Sequence, residues 1–206
     1  MANGRFITFE GVDGAGKTTQ LEWARQFLEQ RGQPLTVTRE PGGTELGEAL
    51  RNVLLNAKRP IHPETEALLM FAARREHIDE VILPALQRGD VVLCDRFTDA
   101  TFAYQGGGSG VESEKLEALE KWVHADLQPD LTLYFDLPVE IARQRLSGER
   151  EADRFERESA EFFQRVRTAY LARARQNPRR INVVDASAAP AAIRKLVENI
   201  LLSACQ

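Results

Sequence analysis

The chain has 206 residues, 43% of them hydrophobic, and a formal net charge of −4. This length can bury one substantial core, so a single domain is the default, and the acidic balance offers no diffuse positive field for nucleic acid or an anionic membrane surface. Cys94, inside an apolar run, and Cys205, beside the C-terminus, have neither disulfide-framework nor zinc spacing; with no signal-peptide core and no stretch near the roughly 18 apolar residues of a membrane span, a soluble cytoplasmic protein with reduced thiols is expected.

Arg5 to Glu10 is a short apolar run that reads as a strand. Glycines end it, and a helical pattern then runs from Lys17 through Leu21, Ala24, Phe27 and Leu28. Leu35 to Thr38 is a second expected strand, closed by Glu40-Pro41-Gly42-Gly43, and a helix follows from about Glu45 to Asn56. From Pro63 to Gln87 one long helix is expected, stopped by Gly89. Val91 to Cys94, Leu131 to Phe135 and Ile181 to Val184 are continuous apolar runs, each followed by aspartate, and each reads as a strand buried on both faces. Alternation of this kind predicts an α/β fold, a three-layer sandwich around a central parallel sheet of five strands, with ligands at the strands' carboxyl ends. Asp13, the Glu40 loop and Asp95-Arg96 all follow strands, so the topology brings them to one edge.

Gly11-Val12-Asp13-Gly14-Ala15-Gly16-Lys17-Thr18 matches G-x-x-x-x-G-K-[ST] between a strand and a helix. Its glycines allow backbone N–H groups to turn inward around phosphate oxygens, and Lys17 adds a full charge there. No purely structural need explains Lys17-Thr18 at that helix N-terminus. These residues, with Thr19, are the candidate ATP contacts. The Thr18 hydroxyl and the Asp95 carboxylate are the candidate Mg²⁺ ligands, although a carboxylate at a strand end can also be a simple turn residue.

Arg96 follows Asp95 directly, and its planar fork suits a second phosphate, which points to a phosphorylated acceptor. A phosphomonoester is already largely dianionic at pH 7, so the protein's task becomes alignment and charge neutralisation. Arg143, Arg145, Arg150 and Arg154 surround a polar excursion at about 146–155, which reads as a lid within a single kinase domain spanning 1–206, against the alternative of a solvated helix end. His62, His77 and His124 are too scattered for a metal or triad role, and Trp23 and Trp122 read as packing residues.

With these residues in hand, the chain resembles the bacterial thymidylate kinases along nearly all of its length. The resemblance is carried by Phe9-Glu10-Gly11 through Thr18-Thr19-Gln20, Thr38-Arg39-Glu40-Pro41-Gly42-Gly43-Thr44, Asp95-Arg96-Phe97 and Ala103-Tyr104-Gln105-Gly106-Gly107-Gly108. It implies the P-loop nucleoside monophosphate kinase fold, phosphorylation of dTMP to dTDP by ATP and Mg²⁺ in the pathway that supplies dTTP for DNA synthesis, and a homodimer. It further implies that Asp13 receives the sugar 3′-hydroxyl and that Arg39 and Arg96 hold the acceptor phosphate, beside Pro41. Thr101, Tyr104 and Gln105 would approach the base and the sugar's 2′ face, ahead of a Gly106-Gly107-Gly108 turn. Members of the family stack an aromatic ring on thymine and place an arginine four residues later; here Met70 with Arg74, or Phe71 with Arg75, fills that pattern, and Arg74 fits the following register better. The loop lacks a cation among Val12, Asp13, Gly14 and Ala15, and members of this kind carry an arginine in the lid, for which Arg150 is the first choice. Lys17, Asp95, Arg96 and Arg150 are therefore the expected catalytic set. A small GTPase-like switch is the alternative of another class, but Asn-Lys-x-Asp and an Asp-x-x-Gly after Asp95 are missing.

Overall fold

The computed structural model describes residues 4–146, 154–155 and 157–204. In chain order the elements are β1 (Arg5–Glu10), α1 (Lys17–Glu29), β2 (Leu35–Arg39), α2 (Glu45–Leu55), α3 (Pro63–His77), a π-helical stretch (Ile78–Ile82), α4 (Leu83–Arg88), β3 (Val91–Asp95), α5 (Thr98–Thr101), a second π-helical stretch (Phe102–Gly108), α6 (Ser113–His124), β4 (Leu131–Asp136), α7 (Val139–Leu146), α8 (Ala160–Gln176), β5 (Ile181–Asp185) and α9 (Pro190–Ala204). The five strands form one parallel sheet in the order β2-β3-β1-β4-β5. The expected three-layer α/β sandwich is the observed fold.

Burial along the strands follows their place in the sheet. β1, β3 and β4 are buried almost throughout, as continuous apolar runs require of a sheet covered on both faces. β5 is not: it is an edge strand in which Ile181 and Val184 are buried while Val183 is 46% exposed, so the expectation of burial on both faces fails there. Two apolar clusters flank the sheet. The larger joins Ile7, Phe9, Leu93 and Phe135 to α1, α8 and α9, and the smaller joins Phe6, Val92, Cys94 and Phe97 to α3, α4 and α6.

Two helical runs depart from simple expectation. Between Pro63 and Arg88 the backbone widens into the π stretch just before Pro84, whose missing N–H and ring cannot fit an undisturbed α-helix. Gly106-Gly107-Gly108 is also not a free turn but the end of the second π stretch. A Cβ on Gly107 would lie 2.5 Å from Ala169 Cβ, and one on Gly108 2.5 Å from the Phe162 ring, so these glycines let α8 lie directly against that stretch. Arg165 of α8 donates to the Gly108 carbonyl at 2.7 Å and fixes the contact.

Candidate active site

The loop from Gly11 to Gly16 turns tightly enough that three of its glycines have positive φ, and Gly16 caps α1 in the left-handed region. At Gly14 the reason is twofold: φ is +82°, and a Cβ would stand 2.7 Å from the Ala142 carbonyl oxygen of α7. Lys17 is the first residue of α1 and folds back over the loop, donating to the Val12 carbonyl at 3.2 Å and to Asp13 Oδ1 at 3.4 Å. Burial, then the nearby Arg96 charge, lowers the Lys17 pKa, while Asp13 and Asp95 oppose them. Val12 and Ala15 are buried, and Thr18 and Thr19 are exposed on the first turn of α1. Arg145 of α7 reaches the Gly14 and Ala186 carbonyls, both at 3.2 Å, and so ties the loop to the segment after β5.

Arg96 is the pivot between this loop and the space beside it. It follows β3 with φ at +70°, a conformation that costs a non-glycine residue free energy and is held only where the surroundings demand it. From there its guanidinium donates to the Gly11 carbonyl at 2.9 Å and to Asp13 Oδ1 at 2.8 Å, and it stands 5.0 Å from the Tyr104 ring centroid. Burial works to raise the Asp13 carboxyl, but the Arg96 and Lys17 cations overcome it and hold Asp13 well below the usual carboxylate range.

A cleft of about 820 Å³, counting its open mouth, begins at these residues. Of the residues expected from sequence, it is lined by Asp13, Arg39, Pro41, Met70, Asp95, Arg96, Tyr104 and Gln105. Arg39 lies at the exposed rim, paired with Glu48 at 2.8 Å. Phe71 is not part of the lining: it is 1% exposed and belongs to the smaller core cluster, which corrects its candidacy and leaves Met70 as the residue facing the cleft. Arg75 faces away, paired with Asp79 and donating to the Val123 carbonyl, so Arg74 is the arginine on the cleft side of the helix.

Arg74 and Thr101 act from behind the lining. Arg74 is 1% exposed, donates to Glu40 Oε2 at 2.7 Å and to Thr101 Oγ1 at 2.9 Å, and lies 4.9 Å from the Phe71 and Phe97 ring centroids. The other Glu40 oxygen meets His77 Nδ1 at 2.9 Å, and His77 Nε2 meets Thr38 Oγ1 at 2.6 Å. His77 is thus a fully buried helix histidine with both ring nitrogens satisfied, linking β2 to α3. Glu40, Arg51, Leu55, Ala100 and Phe155 also line the cleft and were missed by sequence reasoning. The proximity of Glu40 and Arg51 to the Pro41 loop was the only available signal, and Arg51 does donate to the Pro41 carbonyl at 3.1 Å.

Several buried polar atoms around the cleft have no partner: Asp95 Oδ1, Arg74 NH1, Tyr104 OH and Gln105 Oε1. The amide nitrogen of Gln105 is fixed by Glu66 Oε1 at 2.7 Å, which sets the orientation of its free oxygen. Buried polar groups are seldom left unsatisfied without a reason, and four of them around one cleft form a set of docking points for a polar ligand. Among the described residues no group of three or more His, Cys, Asp or Glu forms a metal cage. The exposed Thr18 and the unpartnered Asp95 oxygen are hard oxygen donors of the kind that would hold a magnesium ion completed by phosphates and water.

Of the four arginines expected to act together, the three described ones lie in different surroundings. Arg145 serves the loop as described, Arg154 pairs with Glu66 and donates to the Leu54 carbonyl, and Arg143 is exposed. Arg150 and most of the expected lid at about 146–155 lie outside the described residues. Trp23 packs on Phe27, but Trp122 is 80% exposed and does not pack in the core.

A family model described as thymidylate kinase matches residues 9–197. The chain belongs to the thymidylate kinase family. It is 62% identical to the thymidylate kinase of Nitrosomonas europaea over 98% of this chain and 94% of that protein, and 60% identical to that of Cupriavidus necator over 96% and 98%. Its fold matches the crystal structure of thymidylate kinase from Ehrlichia chaffeensis with a TM-score of 0.79, at 34% identity, over 97% of this chain and 99% of that one. As a member of this family the chain is a transferase. Among its described residues no helix is long and apolar enough to cross a membrane.

Proposed function

We propose that this enzyme transfers the γ-phosphoryl group of ATP to dTMP, giving dTDP, as a step in supplying dTTP for DNA synthesis. The observation that carries the reading is the placement of Arg96: it touches Gly11 and Asp13 of the phosphate loop while lining the acceptor cleft, so one cation stands between two phosphate sites. A single nucleotide site that only binds or hydrolyses has no use for such a cleft.

In this reading Gly11 to Gly16, Lys17, Thr18 and Thr19 hold the ATP phosphates, and Lys17 neutralises charge on the migrating group. Arg39 and Arg96 hold the acceptor phosphate, which needs no strong base because it is already largely dianionic. Asp13, kept ionised by its two cations, accepts a hydrogen bond from the sugar 3′-hydroxyl. Tyr104 closes the 2′ side against a ribose hydroxyl, and Gln105 offers its free oxygen beside it. Arg74, fixed by Glu40 and Thr101, meets the base, and Met70 packs on its face. Magnesium, held at Thr18 and Asp95, would neutralise phosphate charge during transfer.

Three further assignments belong to the same proposal. The described strands all join one sheet, which supports a single kinase domain over 1–206; its lid at about 146–155, with Arg150 as the lid cation, rests on the family resemblance alone. The exposed Leu68 and Trp122 flank an apolar groove between α3 and α6, which supports a homodimer, checked by sedimentation of the purified chain. A cytoplasmic location accords with the reduced thiols expected from the sequence.

The test is ADP release in the presence of ATP and Mg²⁺ across dTMP, dUMP, AMP, GMP and shikimate. The expected result is strong turnover with dTMP; activity on AMP or GMP with none on dTMP would overturn the substrate assignment.

A further inference from the structure

The left-handed turn that aims Arg96 has to be held against its own strain, and the structure shows what holds it. The Arg96 N–H donates to the Phe9 carbonyl at 3.0 Å, and the Arg96 carbonyl accepts from the Cys94 thiol at 3.0 Å. The next residue completes the clamp: the Phe97 N–H donates to Glu10 Oε1 at 2.7 Å. The first joins backbone groups of neighbouring strands and would form around almost any side chain, and the second is made by a thiol, a weak donor. The third depends on one carboxylate.

Glu10 is fully buried at the end of β1, opposite Tyr134 of β4. Its second oxygen accepts from the Tyr170 hydroxyl at 2.8 Å. Tyr170, on α8, is itself 1% exposed and locked by stacking on Tyr134, with centroids 4.7 Å apart. The same ring meets Tyr104 edge-on at 6.4 Å, and Tyr104 is the ring beneath the Arg96 guanidinium. Both ends of Arg96, its backbone turn and its cationic head, are therefore supported by one connected set of buried groups.

A buried carboxylate is expensive, and a core position at a strand end has no packing need for one. Burial, followed by the Asp99 charge, pushes the Glu10 carboxyl up, against the opposing influence of Arg96 and its hydrogen-bond donors. The site tolerates this cost in a place where leucine or methionine would pack without it.

We propose that Glu10, braced by Tyr170, is a positioning residue that holds the Arg96 turn and thereby sets the enzyme's grip on the acceptor phosphate. It touches no substrate. This inference rests on the assignment of Arg96 to that phosphate, and it assigns to α8 a part in acceptor binding although α8 does not line the cleft.

The test compares affinities for dTMP and for thymidine, which lacks the phosphate, by titration calorimetry on Glu10→Ala, Glu10→Gln, Tyr170→Phe and Arg96→Ala. Glu10→Ala should weaken dTMP binding about tenfold or more, as expected when a buried N–H loses its hydrogen-bond acceptor, while thymidine and ATP affinities stay within about twofold. Glu10→Gln, whose amide can still accept from Phe97 and donate to the Tyr170 oxygen, should recover most of that loss. Tyr170→Phe should fall in between, and it provides the same comparison if Glu10→Ala does not fold. An Arg96→Ala variant that lowers the dTMP-to-thymidine ratio beside Glu10 and Tyr170 variants that leave it unchanged would overturn the inference alone. An unchanged ratio in Arg96→Ala would instead remove the phosphate assignment on which it stands.

Discussion

The phosphate loop and the acceptor cleft share Asp13 and are bridged by Arg96, but are constructed in opposite ways. The loop is eight consecutive residues whose shape follows from glycine conformations and from one lysine at a helix start. The cleft draws on the segments after β1, β2 and β3, on α2 and α3, and on the second π stretch. A contiguous site works through backbone groups, and its side chains can vary. A composite site works through side chains, and each must be steadied by another, as Arg74 is by Glu40 and Thr101 and Glu40 is by His77.

That contrast can be broken most directly at Lys17. Lys17→Met should lower kcat by about 10³-fold or more, because it removes the loop's full charge from the migrating phosphoryl group. A variant with near-normal kcat would show that backbone groups and arginines suffice, and the division between backbone-built and side-chain-built halves would lose its main exception. Arg74→Met is the sharper test of the composite half. It leaves Glu40 buried with only His77 as partner, and kcat/KM for dTMP should fall on the order of 100-fold while KM for ATP stays within about twofold. Equal losses for both substrates would mean that the two halves are not separable.

The smallest expected effect concerns acid. His124 is 3% exposed among the Phe71 and Phe97 rings beneath Arg74, and neither ring nitrogen has a partner. Burial and the Arg74 charge push its pKa down to about 2 from an ordinary 6.5. The unfolded chain therefore takes up a proton below pH 6.5 that the folded chain refuses, and stability present above that pH is lost as the pH falls. Between pH 7.5 and 5 this amounts to roughly 2 kcal/mol, so the melting temperature of wild type should fall further over that interval than that of His124→Leu. Parallel pH profiles would show that the acceptor half is no softer to acid than the rest.

The same contrast explains what could be read from the sequence. β1, β3 and β4 were visible because buried parallel strands are written as apolar runs, β2 and β5 because short apolar stretches are closed by turn residues or aspartate, and the loop because its chemistry is local. Asp95-Arg96 and Tyr104-Gln105 came from short motifs. Phe71 and Met70 could not be told apart, since neighbouring helix positions differ by about 100° and the π stretch beyond them offers no clean register. Leu55 and Ala100 carry no local signal at all, because each reaches the cleft only through the packing of its whole segment. Edge placement of β5 was equally hidden, since Ile181 to Val184 is as apolar as a central strand and only the strand order exposes it.

Gly107 and Gly108 carry one more consequence. By letting α8 seat on the stretch that bears Tyr104 and Gln105, they join the C-terminal third of the chain to the part that reads the acceptor. Helix α8 is accordingly not an interchangeable module. A chimera that imports it from a relative also imports a new seat for Tyr104, and a bulkier residue at Ala169 would alter acceptor choice without ever meeting the acceptor.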